Sequence, residues 1–458
     1  MHKLFLAGVS AIALSLGVAG SAHAVDLMFP KGQGDFNWDS LQKFADAHKD
    51  LSGQTLTIWD AWNDPAGDKA QWEAVLAYFT DATGVTVQDG SSKNYEEQAR
   101  IDIQAGSPAN ITILPQPGLL ADFAKQGKLT DLGDDVTKFV TDNFGAGSSW
   151  AALGQFAGAD GAVHQYAFPY KQEVKSLVWY SPDAFKEKGY EVPKTWEDLM
   201  ALQDKIKADG GTPWCVGIES GGATGWPATD WIENLLLLTQ PPQVYDDWVA
   251  GKVKFSDPRI KAVFDLFGSI VKDDKNVAGG TKAVVSTNFG DSPKGLFTVP
   301  PQCYLHKQAS FITSFFPKDS QAGVDYDFFY FPPMKAHPEL GNPVEGSGNL
   351  VTITKDSPAA QAFIQFLETP IAHEIWMAED NSSFLSAMKT VNTKVYSSDV
   401  LRKFGDILLN ATTFRFDGSD LMPSAVGTGT FWSGMVDFVN GKSTDDVTAA
   451  IDASWPKS

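Results

Sequence analysis

Hydrophobic and polar positions recur with two different periods along the first part of the chain. Apolar and polar residues alternate in TLTIWD, which predicts a strand. In the next segment, DKAQWEAVLAYFTDATG, Trp72, Leu76 and Phe79 share one helical face, and Gly84 is a stop signal. VTVQDG, NYEEQARIDIQAG and NITILPQPG then predict a second strand, a helix and a third strand. This order predicts a doubly wound α/β layer.

Strand and helix signals continue to alternate further along the chain. YAFPYKQEVKSLVWY and YDFFYFPPM predict strands, and KGLFTVPPQCY predicts a strand that ends in a Pro-Pro turn. Thr195 and Asp198 form a loose capping box at the start of a helix in KTWEDLMALQDKIKADGG. In GSGNLVTITKDSPAAQAFIQFL we predict a glycine-rich turn, a strand, and a helix that begins at Ser357 and Pro358.

Polar and aromatic residues follow two of the predicted strands. Trp62, Asn63 and Asp64 come after the first strand, and Gln116 comes after the third. Ligands of open α/β sheets bind outside the carboxyl ends of the strands. We therefore expect these four residues at a ligand site.

Tryptophan is abundant, with 14 residues in the chain, and several of them stand in predicted loops. Trp226 lies in the glycine-rich segment ESGGATGWPATDW, and Trp432 follows GTGT. A sugar ring has apolar C–H faces, which aromatic planes bury, and a rim of hydroxyl groups, which carboxylates and amides hydrogen-bond. Tryptophan beside Asp and Asn is therefore the combination that carbohydrate binding requires.

Length and charge narrow the classes of function. A chain of 458 residues exceeds what one hydrophobic core usually organises, which predicts two lobes. The formal net charge of −20 argues against nucleic acid, an anionic membrane surface or a polyanionic substrate. Residues 1–24 combine Lys3, an apolar run and SAHA, the pattern of a signal peptide cleaved near Ala24. We expect an exported protein of a bacterial periplasm.

The chain contains two cysteines, Cys215 and Cys303. In an oxidising compartment an isolated pair more often forms a disulfide than a metal site or a nucleophile. The pairing stays open at this point, because the sequence does not show whether the two residues come within bridging distance.

Catalytic and metal-binding patterns are weak. The histidines show neither HExxH nor paired ligand spacing, so we predict no metal and no cofactor. Carboxylates near tryptophans also describe a glycoside hydrolase, which needs two acids about 5 to 9.5 Å apart. The candidates are Asp60, Asp64, Asp417 and Asp420. Nothing in the sequence assigns one of them as acid and another as base, and we predict no catalytic residue.

Five longer segments follow the signal peptide in a characteristic order: LTIWDAW, GKLTDL, YAFPYKQEVKSLVWYSPDAFKEKGYEVPKTWEDL, GSGNLVTITKDSPAAQAFIQFL and LMPSAVGTGTFWSGMVDFVNGKSTDDVTAAID. Together they resemble the extracellular solute-binding proteins of carbohydrate ABC importers, the maltose-binding-protein-like group. Within that group, the likeness is greatest to the periplasmic alpha-glucoside-binding proteins. It covers nearly all of the mature chain, and the order of the segments is more specific than any single one.

The resemblance implies a two-lobed α/β fold, the type II periplasmic-binding-protein fold, in which each lobe is a mixed sheet flanked by helices. Three crossings would form the hinge. Lobe one would comprise residues 25–174 and 350–389, and lobe two residues 175–349 and 390–458. The resemblance also implies a monomeric, non-catalytic receptor. It would enclose an alpha-glucoside such as sucrose, maltose or trehalose and deliver it to membrane permease subunits.

The resemblance further implies a set of ligand-binding residues. They are Trp62, Asn63, Asp64, Gln116, Tyr170, Lys171, Trp226, Gln302, Gly346, Ser347, Asn349, Asp417, Asp420 and Trp432. Two of these positions depart from the family pattern. Gln116 stands where relatives often carry an acid, and Gln302 stands where maltose binders place a stacking tryptophan.

Two alternatives remain beside the sugar receptor. The first is a secreted glycoside hydrolase with paired carboxylates. The second is a receptor of the same fold for a non-sugar such as a polyol or a glycerophosphodiester. A phosphate ligand would need Arg or Lys donors, and Lys171 is the one expected site residue that supplies one.

Overall fold

The computed structural model describes residues 26–65, 67–145, 147–380, 382–410 and 413–456. The predicted signal peptide and its cleavage site near Ala24 lie outside the described residues. Among the described helices, none combines the length and the apolar composition that a membrane span requires.

Eleven strands are present in the described residues: β1 (Thr55–Asp60), β2 (Thr86–Ser91), β3 (Ile111–Leu114), β4 (Gln155–Ala157), β5 (Val163–Gln165), β6 (Ala167–Val174), β7 (Leu177–Tyr180), β8 (His306–Lys307), β9 (Asp327–Tyr330), β10 (Pro343–Ile353) and β11 (Thr413–Phe416). The α-helices are α1 (Trp38–Ala47), α2 (Asp68–Thr83), α3 (Tyr95–Ala105), α4 (Pro117–Lys125), α5 (Asp134–Asn143), α6 (Gly147–Ala152), α7 (Pro182–Lys188), α8 (Trp196–Ala208), α9 (Trp226–Thr239), α10 (Pro242–Val249), α11 (Pro258–Val271), α12 (Thr281–Ser286), α13 (Pro358–Leu367), α14 (Pro370–Met377), α15 (Asp399–Asn410), α16 (Gly418–Leu421), α17 (Trp432–Val439) and α18 (Thr444–Ala453). A π-helix, Ala425–Phe431, precedes α17.

The larger sheet has six strands in the order β11-β10-β3-β1-β2, with β6 paired to β10. β1 is parallel to both β2 and β3, as the alternation of strands and helices predicts. α2 is followed by Gly84, which adopts the left-handed conformation expected of a helix stop. Because β1, β2 and β3 are parallel, their carboxyl ends open at one edge of the sheet, and this edge positions the site.

The turn predicted for the segment GSG is wrong. The segment lies within β10 and is fully buried. A Cβ added at Gly346 would lie 2.4 Å from the Phe414 ring and 2.9 Å from the carbonyl oxygen of Glu173. The glycine is therefore needed for close approach of neighbouring chains and not for a reversal of direction. The register with β6 shifts between Asn349 and Leu350.

A second, three-stranded antiparallel sheet has the order β8-β7-β9. The strand predicted for KGLFTVPPQCY is wrong, because the structure forms a 3-10 helix at Ser292–Phe297. The hydrogen bonds in the middle of this segment are local: the Thr298 hydroxyl donates to the Gly295 carbonyl and accepts from the Gln302 amide. Backbone groups paired in this way do not form a ladder with another strand.

Two large clusters of buried side chains organise the chain. The first core surrounds the six-stranded sheet and includes Trp72, Phe79 and Trp376. The second core surrounds α9 and α11 and includes Trp231 and Phe264. A chain of this size needs more than one core, as its length predicts.

The Cys215–Cys303 disulfide is present, with 5.3 Å between the two Cα atoms. The structure therefore answers the question of pairing that the sequence left open. The two residues are 88 positions apart, so the bond closes a long loop of the unfolded chain.

Replacing both cysteines by serine should lower the free energy of unfolding by about 2–4 kcal/mol, because the unfolded chain regains the freedom of that loop. Urea denaturation followed by tryptophan fluorescence measures this change. Wild-type protein treated with dithiothreitol is the control, since it loses the bond but keeps both sulfur atoms. Equal midpoints for oxidised, reduced and doubly substituted protein would contradict a stabilising role.

Candidate ligand-binding cleft

A cavity of about 350 Å³ lies at the carboxyl edge of β1, β2 and β3, between the two cores. Its volume falls within the range typical of small-molecule sites. The structure places ten of the expected residues on its surface: Trp62, Asn63, Asp64, Gln116, Trp226, Ser347, Asn349, Asp417, Asp420 and Trp432. They come from distant parts of the chain, which the fold brings to one cleft.

The first wall of the cleft begins where β1 ends. The Trp62 amide donates to Asp60 Oδ1 at 2.7 Å, which fixes the turn after the strand. The Trp62 ring packs against Trp72 and Trp376, with ring centroids 4.9 and 4.8 Å away. Only 5% of Trp62 is exposed, so its ring is held rigidly at the cavity surface. A ring that is already fixed loses little entropy when a ligand covers it.

Polar groups after β2 and β3 complete the first wall. Gln116 follows β3, and its Nε2 donates to Glu96 Oε1 at 3.3 Å. Gln116 Oε1 is buried and has no hydrogen-bond partner among the described residues. Burial raises the pKa of Glu96. The amide oxygen of Gln116 and the carboxyl group of Glu96 therefore both face the cavity. A ligand hydroxyl could donate a hydrogen bond to the first and accept one from the neutral form of the second.

The second wall is aromatic. Trp226, at the start of α9, packs against Phe289 and Phe311, with centroid distances of 5.1 and 5.9 Å. Gly225 has φ +118°, and a Cβ there would lie 2.1 Å from the Trp432 carbonyl oxygen. Only glycine fits this position, and the close approach of the two backbones there brings Trp226 and Trp432 together. Trp432 Nε1 is buried and has no partner in the described part of the chain.

Two neighbouring acids at the cavity have opposite pKa shifts. Burial acts to raise the pKa of Asp417, but the Lys175 ammonium, which contacts Asp417 Oδ2, holds it below its usual value. Burial and the Asp417 charge raise the pKa of Asp420 well above its usual value. The pair therefore offers a charged acceptor beside an acid that favours its neutral, donating form.

Four expected residues do not reach the cavity surface. The Tyr170 hydroxyl is buried and donates to the Ala372 carbonyl. Lys171 Nζ donates to Asp68 Oδ2 at 2.8 Å, so it supports a lining residue from behind. Gly346 is enclosed by Phe414, and Gln302 belongs to the local hydrogen bonds beside the disulfide. Among the hydrolase candidates, Asp60 is also absent from the cavity lining and pairs with Lys69.

Several lining residues were missed by sequence reasoning: Asp68, Lys93, Tyr95, Glu96, Glu173, Lys175, Ser220, Asn288, Phe289, Phe311 and Phe315. Tyr95 and Glu96 follow β2, so the same strand-end rule that selected Gln116 could have found them. Glu173 and Lys175 flank the end of β6, and no local sequence signal marks them as cleft residues.

The two sides of the cleft touch at its mouth. Lys93 Nζ contacts both carboxylate oxygens of Glu219, at 2.7 and 2.9 Å. Asn94 Oδ1 accepts a hydrogen bond of 2.8 Å from the Gly222 amide. Hydrogen bonds from Lys93 and Asn288 lower the pKa of Glu219 to about 2. We refer to the Lys93–Glu219 and Asn94–Gly222 contacts as the mouth latch.

Comparisons with known proteins show the family of this chain. Residues 62–374 match the model of the bacterial extracellular solute-binding protein family. The alpha-glucosides-binding periplasmic protein AglE of Rhizobium meliloti is 56% identical, and the match covers 99% of each chain. The osmoprotective compounds-binding protein GgtB of Synechocystis sp. is 42% identical, over 84% of this chain and 89% of its own.

The fold also matches a solved structure. The bacterial solute receptor AcbH superposes with a TM-score of 0.74 at 20% identity, over 88% of this chain and 98% of its own. This confirms the expected two-lobed, mixed α/β fold. The family relationship also decides between receptor and enzyme, because its members are substrate-binding receptors of transporters. The chain therefore belongs to the bacterial extracellular solute-binding proteins and is a solute receptor.

Proposed function

We propose that the protein is the periplasmic receptor of a carbohydrate ABC importer and that it binds an alpha-glucoside of disaccharide or short oligosaccharide size. The observation that carries the proposal is the cavity itself. Tryptophan rings stand on both walls, and Gln116 Oε1 and Trp432 Nε1 are buried polar atoms without partners among the described residues. Rings bury the C–H faces of a sugar, and the polar atoms pair with its hydroxyl groups.

The relatives support this ligand class. AglE is named for alpha-glucosides and is the more similar of the two relatives described above. GgtB is named for osmoprotective compounds, which keeps a non-sugar such as a polyol as the second candidate. A phosphate-bearing ligand is disfavoured, because the two lysines of the cavity lining both contact carboxylates: Lys93 contacts Glu219, and Lys175 contacts Asp230 and Asp417.

Ligand capture would proceed by closure of two lobes about three crossings. The first two proposed crossings, 174/175 and 349/350, coincide with the end of β6 and with the register shift in β10. For the third, Asn392 donates to the Asp35 carbonyl and to Glu374 Oε1, both in the first lobe. These contacts favour a crossing a few residues later than the 389/390 predicted from sequence.

The biological setting completes the proposal. Residues 1–24 direct export and are removed near Ala24, and the mature chain acts in the periplasm as a monomer. The permease at the inner membrane would recognise the closed form, in which surfaces of both lobes stand together at the mouth latch. Ligand contacts with both lobes shift the equilibrium toward that form.

Isothermal titration calorimetry of the mature protein, unfolded and refolded to remove any carried ligand, tests the ligand class. The panel is maltose, trehalose, sucrose, glucose and glycerol 3-phosphate. We expect saturable one-to-one binding of at least one alpha-glucoside and no release of glucose. Glucose release would support the hydrolase instead, and binding of glycerol 3-phosphate alone would contradict the sugar proposal.

Trp226→Ala should weaken binding of that alpha-glucoside about tenfold to hundredfold, because it removes the aromatic face of the second wall. Trp455→Ala is the matched control, since Trp455 is a half-buried tryptophan outside the cavity lining. Calorimetry gives both dissociation constants, and circular dichroism checks that both variants fold. Equal affinities for the two variants would show that Trp226 does not contact the ligand.

The mouth latch should favour the closed form. Glu219→Gln removes the charge paired with Lys93, and Glu219 is not a lining residue of the cavity. We expect up to about fivefold weaker ligand binding, the range of an exposed ion pair, with a smaller difference at high salt.

Asp142→Asn is the control for this variant, because it breaks the exposed Lys138–Asp142 pair on α5, away from the cleft. Small-angle scattering of the ligand-free proteins gives a second readout. The Glu219 variant should have a larger radius of gyration than the control. If neither affinity nor radius changes, the latch does not bias closure.

A further inference from the structure

Behind the cleft, four buried carboxylates converge. Asp230 and Glu233 lie on α9, Glu345 lies on β10, and Asp417 follows β11. One oxygen atom from each residue can be chosen so that all four atoms lie within 4.8 Å of one another. None of the four side chains is more than 2% exposed. We call this group the acid cluster.

Hydrogen bonding leaves part of the acid cluster unsatisfied. Both carboxylate oxygens of Glu345, and Asp230 Oδ2, are buried and accept no hydrogen bond from the described residues. The Lys307 ammonium is 3.5 Å from Glu345 Oε2, beyond good hydrogen-bond distance, and donates at 2.7 Å to the Asp230 carbonyl. Buried carboxylate oxygens without partners are costly, and a bound ion is one of the accepted reasons for them.

Carboxyl groups outnumber ammonium groups in the acid cluster. Two lysines of the described chain contact it: Lys175, at 2.9 Å from Asp230 Oδ1, and Lys307. Two ammonium groups face four buried carboxyl groups, so two further positive charges, carried by two protons or by one divalent cation, would make the cluster neutral. Lys175 occupies Oδ1 of Asp230 and leaves Oδ2 available as a ligand.

The remaining two carboxylates are fixed but not saturated. Glu233 accepts the Gly418 and Ser419 amides, at 2.7 and 3.0 Å. Asp417 Oδ1 accepts the Ser419 hydroxyl and the Asp420 amide. A carboxylate has about four lone-pair positions, so each of these residues keeps acceptor capacity for a cation while its neighbours hold it in place.

Donor type and spacing select the ion. All four ligands are carboxylate oxygens, which suits a hard cation such as Ca²⁺ or Mg²⁺. Oxygens on opposite sides of Ca²⁺ are about 4.6–5.2 Å apart, twice the Ca–O distance, and those around Mg²⁺ are about 4.0–4.2 Å apart. The oxygen atoms of the acid cluster all lie within 4.8 Å of one another, inside the separation that one Ca²⁺ ion bridges.

We propose that Asp230, Glu233, Glu345 and Asp417 bind one Ca²⁺ ion behind the ligand cleft. The ion would join α9 to the segment that follows β11 and to the first residues of the long strand β10. Asp417 also lines the cavity, so the ion would fix a carboxylate that faces the ligand. Calcium would therefore stabilise the fold and increase ligand affinity through the position of Asp417.

The test starts from the full mature protein, purified without chelator. Mass spectrometric metal analysis should find one calcium per chain. After removal with EDTA, CaCl₂ should restore a higher melting temperature with one-to-one saturation, while MgCl₂ at the same concentration should do less. Calorimetric titration with CaCl₂ alone gives the affinity. None of these readouts depends on a sugar, so failure of the sugar proposal would leave this test unchanged.

Variants then assign the site. Glu345→Gln keeps the shape of the side chain and should weaken Ca²⁺ binding at least tenfold. Glu339→Gln is the control, because Glu339 is exposed and lies six residues earlier in the chain. Asp230→Asn serves as a second variant if Glu345→Gln does not fold. Wild-type protein that binds no Ca²⁺, or variants that bind it as wild type does, would overturn the proposal.

Discussion

The antiparallel ladder between β6 and β10 is the interaction on which the rest of the structure depends. β6 continues into β7 of the three-stranded sheet, and β10 pairs with β3 of the six-stranded sheet. Every residue of β10 is buried. The Lys175 amide, just beyond β6, donates to the Glu345 carbonyl at 2.8 Å. The ladder therefore sets the distance between the two walls of the cleft and between the lysine and the carboxylates of the acid cluster.

Much of the first wall could be predicted from the sequence, because local patterns determine it. Alternation located β1 and β3, and the strand-end rule then placed Trp62 and Gln116 at the cavity. Other positions depend on contacts that no local pattern records. Tyr170 has the residue type of a ligand contact, yet its ring is enclosed by His373, Trp376 and Phe384. Tertiary packing decides which face of a strand is covered.

The wrong predictions have the same physical origin. Glycine in GSG was assigned to a turn, although glycine also permits close approach of chains, and the Phe414 ring occupies the space of the missing side chain. Branched and aromatic residues in KGLFTVPPQCY match a strand, but the Thr298 hydroxyl satisfies the backbone locally. In both segments the residue types fit the predicted conformation, but another interaction determined the observed one. This interaction is a contact distant in sequence for GSG and a side-chain hydrogen bond for KGLFTVPPQCY.

The mouth latch and the cavity act on the same equilibrium with different strengths. Exposed ion pairs contribute about 0.2–1 kcal/mol, and moving a two-state population from 1:99 to 99:1 takes about 5.5 kcal/mol. Lys93 and Glu219 are 55% and 26% exposed, so their pair cannot close the cleft by itself. The remaining free energy of closure must come from buried contacts that form only when a ligand touches both walls. These are contacts of the ligand with the Trp62 and Trp226 rings and hydrogen bonds of its hydroxyl groups with Gln116 Oε1 and Trp432 Nε1. A weak latch is thus what a receptor requires, because a stronger one would close the empty cleft and remove the distinction between loaded and unloaded protein.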